Sequence, residues 1–203
     1  MPVNRNDNHK LDFLLEIGNI GSGNALSSLS SFIDRRVDMN PPQLDFVDFN
    51  TLMSSVGGIE NVVSGFLIKV SGDINGIMLF MLQKELASQV SDILLGDSII
   101  NIHSMDEIHI SLVKEIANIM AGSYVSSLAE LTEMRMSTTV PDLCIDMAGA
   151  ILTVPLAYFE NVCDSILLIQ NSFSIDMKEY NSSIFFFLEE QSIDRLLKHF
   201  GIE

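Results

Sequence analysis

Two short stretches hold residues capable of chemistry, and they are nearly the same stretch. EIGNIGSGNALSSLS, from Glu16 to Ser30, returns 99 positions later as EIANIMAGSYVSSLA, from Glu115 to Ala129, with eight of fifteen residues identical. Two helices facing a core would repeat their apolar letters. Here a Glu, an Asn and a Gly also repeat in register, as Glu16/Glu115, Asn19/Asn118 and Gly23/Gly122. On a helix, Asp12, Glu16 and Asn19 fall at i, i+4 and i+7 and share one face about 10 Å long, which Gly23 extends. Ser111, Glu115, Asn118 and Gly122 occupy the matching face of the second copy.

Glu is at home on a solvated helix. Asn is not, because its short amide competes with the backbone. Gly costs about 1 kcal/mol against Ala in a helix interior. Shared ancestry of the repeats would preserve such residues without a use for them. The functional reading is that Gly leaves a smooth place for another molecule's backbone, with Glu and Asn projecting beside it. A carboxylate and a carboxamide contain no strong nucleophile and no complete metal site. The amide donates and accepts at once, which suits holding a water in line with a phosphorus atom. The carboxylate suits pairing with a lysine. Such a pair is half an active site, with the phosphoryl group and metal on a partner.

Other constellations fail. GNIGSG (Gly18–Gly23) lacks the dinucleotide spacing, a preceding strand and a Gly-Lys-Ser/Thr sequel. The serines from Ser27 to Ser31 have no nearby His and no nucleophile elbow, and read as small helix-packing residues. His9, His103, His109 and His199 show no metal-binding pattern. Cys144 and Cys163 read as buried thiols.

Composition narrows the field further. The chain has 203 residues, 47% hydrophobic, and a net charge of −16. That charge argues against nucleic acid and against anionic lipid. No apolar run approaches the roughly 20 residues of a membrane span, and MPVNRNDNHK has no signal-peptide core. A cytoplasmic protein without membrane insertion is expected.

The elements that must position these residues also come twice. Apolar spacing predicts a helix from Leu11 to about Phe32, strands at Leu44–Phe49, Val62–Val70 and Gly76–Leu82, and a helix over Lys84–Leu95 stopped by Gly96. The second half predicts a helix over Met105–Glu133, strands at Val162–Gln170 and Ser182–Leu188, and a helix at about Gln191–Phe200. Asp146–Leu152 reads as more helical than its counterpart Phe46–Leu52. The fold class expected is α+β, a tandem pseudo-two-fold repeat with an antiparallel sheet packed against long helices. The repeats span about 10–100 and 105–203, within a single domain over 1–203.

The pattern Asp/Ser-x3-Glu-x2-Asn-x22-Pro occurs in full twice, as Asp12-Glu16-Asn19-Pro42 and Ser111-Glu115-Asn118-Pro141. It resembles the signature of the CheC/CheX/FliY phosphatases of chemotaxis, and the likeness runs from about Leu11 to Gly201. Two copies resemble the CheC branch, and the flagellar-switch region of FliY-type members is not expected. The resemblance implies a phosphatase acting on the phosphorylated response regulator CheY. Asn19 and Asn118 would orient the attacking water, Glu16 and Glu115 would meet the receiver's lysine, and Pro42 and Pro141 would be architectural. It implies no cofactor of the chain's own, the Mg²⁺ being the receiver's. It also implies docking of the receptor deamidase CheD on the segment with Asp146, Met147, Ala150 and Ile151. The alternatives are a regulatory adaptor for CheD or a switch component, and a phosphatase for a non-chemotactic receiver. As an internal pseudo-dimer the chain is expected to be a monomer. Asp12 against Ser111, and Gly21 against Met120, leave the two sites open to unequal activity.

Overall fold

The computed structural model describes residues 8–47, 52, 58–158 and 166–199. Helix α1 runs Asn8–Ile33 and is followed by strands β1 (Val37–Met39), β2 (Gln43–Val47), β3 (Val62–Gly72) and β4 (Gly76–Leu82), then helix α2 (Lys84–Leu95). The second repeat comprises α3 (Glu107–Thr132), β5 (Met136–Thr138), β6 (Asp142–Met147), α4 (Ala148–Tyr158), β7 (Ile166–Ile175), β8 (Lys178–Leu188) and α5 (Glu190–His199).

Local chemistry sets the boundaries. Asp106 caps α3 by accepting the backbone N–H of His109 at 2.9 Å, and this bond, with a further one to the His109 ring, holds its carboxyl below the usual range. Gly96 closes α2 in the left-handed region at φ 69°, as its position in the sequence predicts. Both long helices match their predicted extents to within a few residues. β1, β5 and β6 were not predicted, the first two because three residues are too few to show alternation. Asp146 and Met147 belong to the end of β6 rather than to a helix, because Met147 pairs with Val62 of β3. Pro155 lies inside α4 without ending it. β7 and β8 extend past their predicted limits to a two-residue turn, Asp176-Met177, with both φ values positive. The predicted stretches 48–49, 162–165 and 200 lie outside the described residues.

The eight strands form one antiparallel sheet in the order β1-β7-β8-β4-β3-β5, with β2 also on β7 and β6 also on β3. The repeats therefore exchange strands. β1 and β2 of the first repeat lie on the second repeat's hairpin, and β5 and β6 lie on the first's. At the centre β4 meets β8, with Phe80 opposite Ile184. One register maps onto the other: Met39 faces Phe173 as Thr138 faces Val70, and Gln43 faces Gln170 as Asp142 faces Leu67.

Both faces of this sheet are buried, so IFFFL (Ile184–Leu188) is apolar throughout rather than alternating. Ile184, Phe186, Phe80 and Phe66 point to the α1/α3 side. Phe185, Phe187, Leu79 and Met81 point to the other side, against Ile151 and Leu152 of α4 and against Leu52. Each such side chain contributes about 1.5–3 kcal/mol by leaving water.

Because each hairpin holds the other repeat's short strands, neither repeat alone can complete its sheet. Fragments 1–100 and 104–203 made separately are expected to give unfolded amide spectra by NMR, while the whole chain unfolds in one cooperative transition. A dispersed spectrum from either fragment alone would contradict this.

Candidate functional site

α1 and α3 pack directly on each other across a seam of small polar residues. Asn24 Nδ2 donates to Ser127 Oγ at 2.8 Å, and Ser123 Oγ donates to Ser28 Oγ at 2.7 Å. The 99-residue offset turns one bond into the other, so the repeat symmetry runs through the seam. Pairing 24 with 127 and 28 with 123 means that the helices run in opposite senses.

The symmetry breaks at Gly21. A Cβ placed there would lie 2.7 Å from Cε2 of Tyr124, whose ring rests on the glycine. The related positions are Met120 and Ala25, so at both contacts the large side chain comes from α3. Tyr124 is fully buried and stacks on Phe186 at 5.4 Å between ring centroids. Burial pushes its phenol well above the usual range, so it is a packing group.

The outward faces of the two helices carry the repeated polar residues. Glu16, Glu115 and Asn118 are exposed and Asn19 is half-buried. Among the described residues, no side-chain hydrogen bond or ion pair engages any of the four. Each Glu and Asn is one turn apart, with the glycine one turn further. At 1.5 Å per residue the two Glu/Asn pairs stand up to about 25 Å apart along the helix pair. Asp12 joins the first stripe by its place in α1. Ser111 is exposed and its hydroxyl donates back to the Glu107 carbonyl at 2.7 Å.

The glycines of the stripe differ in kind from Gly21. Nothing lies within 4 Å of a Cβ built at Gly122, and at Gly23 the nearest atom is Cε of Met39, at 3.9 Å. No packing inside the chain requires either residue to be glycine. Pro42 and Pro141 are both buried and stand immediately before β2 and β6, where a missing N–H is tolerated.

Other candidates lie elsewhere. His109 bonds Asp106, and nine residues separate it from Asn118, which places it on the opposite side of α3. Among the described residues, no group of three or more His, Cys, Asp or Glu could hold a metal, and no helix is long and apolar enough to cross a membrane. Cys144 is half-buried rather than fully buried, and Cys163 lies outside the described residues. Of the proposed docking residues, Asp146 and Met147 are exposed and Ala150 is half-buried. Ile151 is a correction: it is 1% exposed and fills the space over Gly65, whose missing side chain admits it. The outward apolar residues near it are Val154 and Tyr158, which the sequence reading missed because α4 is apolar almost all round. They border a groove of about 880 Å³ that Lys69, Asp142 and Glu189 also line.

The CheC-like family model matches the chain twice, over residues 10–44 and 108–145, and each match contains one complete motif. In both segments the chain is similar to the CheC-like family. It is 29% identical over 196 residues to the CheY-P phosphatase CheC of Bacillus subtilis, covering 95% of this chain and 94% of that protein. It is 26% identical over 136 residues to the flagellar motor switch phosphatase FliY of the same organism, covering 64% of this chain but only 34% of FliY. The fold is that of a crystal structure of Thermotoga maritima FliY, with a TM-score of 0.74, 18% identity, and coverage of 99% of this chain and 98% of that one. The CheC-like resemblance and the α+β repeat fold read from the sequence are both borne out.

The two kinds of glycine separate by substitution. Gly122→Ala meets open space and is expected to raise stability by up to about 1 kcal/mol, the gain of Ala over Gly in a helix. Gly21→Ala drives a methyl into the Tyr124 ring and is expected to cost about 1–3 kcal/mol. Urea unfolding of the two variants beside the parent chain measures both.

Proposed function

We propose that this CheC-like chain removes the phosphoryl group from the aspartyl phosphate of a CheY-type response regulator, with one site on each repeat. One observation carries the reading. Each helix presents an exposed Glu, an Asn one turn on, and a Gly that the chain's own packing does not require, and no side-chain bond engages the Glu or the Asn. The name of the Bacillus subtilis relative supports the same activity.

In this reading the receiver docks against the glycine, and Glu16 or Glu115 pairs with its lysine. Asn19 or Asn118 enters the receiver's site, and its amide accepts from and donates to a water facing the phosphorus. The water oxygen bonds phosphorus as the acyl P–O bond breaks. The bonding pair leaves with the receiver's carboxylate, and the water proton passes to solvent. Inorganic phosphate and the free aspartate result. The chain supplies positioning, and Mg²⁺ remains with the receiver.

Phosphate loss from a Mg²⁺-bound, phosphorylated receiver is the test. Wild type is expected to accelerate it, and Asn19→Ala and Asn118→Ala each to leave the other site's share. The double variant is expected to be at least about a hundredfold slower, on the scale of a lost positioning group. A double variant as active as wild type would end the proposal.

The exposed apolar side of α4 favours a second role beside the first, docking of a protein such as the receptor deamidase CheD. Val154→Asp is expected to abolish that binding in a pull-down or titration while phosphate loss keeps its wild-type rate. Unchanged CheD binding would remove this role.

A further inference from the structure

The two sites are related by the repeat, yet they are not equally open. Asn118 is exposed where Asn19 is half-buried. The outer side of Gly122 is empty, whereas Cε of Met39 lies 3.9 Å from where a Gly23 side chain would begin. Met39 ends β1, opposite Phe173 of β7, and its counterpart by offset and register is Thr138, opposite Val70 of β3. A methionine reaches about two bonds further than a threonine. At matched backbone positions, one side chain ends against the glycine notch and the other leaves it clear.

We propose that Met39 is a gate over the first site, narrowing the notch at Gly23 that a docking receiver must enter, while Thr138 leaves the second site unobstructed. The inference rests on the phosphatase reading and concerns access, not chemistry. Met39 is 36% exposed, and its unbranched thioether can swing through several rotamers, so the gate is soft. Receiver binding at the first site must displace the Sδ–Cε end from Gly23. Binding at the second site displaces nothing from Gly122. The difference therefore belongs in KM, because the Glu/Asn pair that acts on bound receiver is the same in both repeats.

Single-site backgrounds separate the two notches. In the Asn118→Ala chain only the first site works, and Met39→Thr there is expected to lower KM for phosphorylated receiver about fivefold with kcat unchanged. In the Asn19→Ala chain only the second site works, and Met39→Thr is expected to change neither constant. The reciprocal Thr138→Met in that background is expected to raise KM by a similar factor. Urea unfolding of each variant checks that the fold is retained.

A rise in KM with Met39→Thr at the first site would make Met39 an anchor and overturn the gate. No change there, or equal changes in both backgrounds, would overturn it as well. Failure of the underlying reading has a different signature, in which the Asn19/Asn118 double variant stays active or wild type never accelerates phosphate loss.

Discussion

The closeness of α1 to α3 governs the helical side of the molecule. Packed helices stand about 8–10 Å apart, at a spacing set by the side chains at their contact. Gly21, Asn24 and Ser28 on one helix and Ser123 and Ser127 on the other leave little to hold the pair apart. The Tyr124 ring lies on the bare backbone of Gly21, and two hydroxyl-borne hydrogen bonds cross the seam. Each bond is worth only about 1 kcal/mol net, but together they fix each helix about its own axis. That rotation decides which residues face out. A turn of one residue, about 100°, would carry Asn19 and Glu16 off the outward face. The polar seam thus orients the polar stripe without touching it.

Behind the seam, the exchanged strands supply rigidity. β7 binds β1 and β2 of the first repeat, and β3 binds β5 and β6 of the second, so each motif's proline sits where its own repeat passes onto the other's hairpin. Phe80 and Ile184 meet at the pseudo-axis, with aromatic layers on both faces of the sheet. A substitution in either hairpin therefore disturbs both faces and both repeats.

What the sequence disclosed follows from how local each signal is. The two long helices and their shared polar face show in residues three and four apart, and the repeat doubles that evidence. Gly96 shows because a helix stop is a single-residue event. β1 and β5 do not show, since three residues carry no period. Pairing between repeats, such as Gln43 with Gln170, leaves no trace in either segment taken alone. Ile151 stands among the docking residues only through the family resemblance, and because α4 is apolar on nearly every side, only the bare β3 backbone at Gly65 reveals which way the helix faces. Met39 escaped for a related reason. It reaches the first stripe from a strand whose placement depends on β7, more than a hundred residues further along.

That long reach bears on how such a chain can change over generations. Met39 and Pro42 belong to the first repeat but rest on strands anchored by the second, while Thr138 and Pro141 rest on strands anchored by the first. A tandem duplication ordinarily frees one copy to drift while the other keeps its duty. Here each half has become the scaffolding of its sibling's site. Neither can decay without undermining the survivor, and a recombinant that kept one half and borrowed a foreign one would inherit two damaged sites instead of one intact.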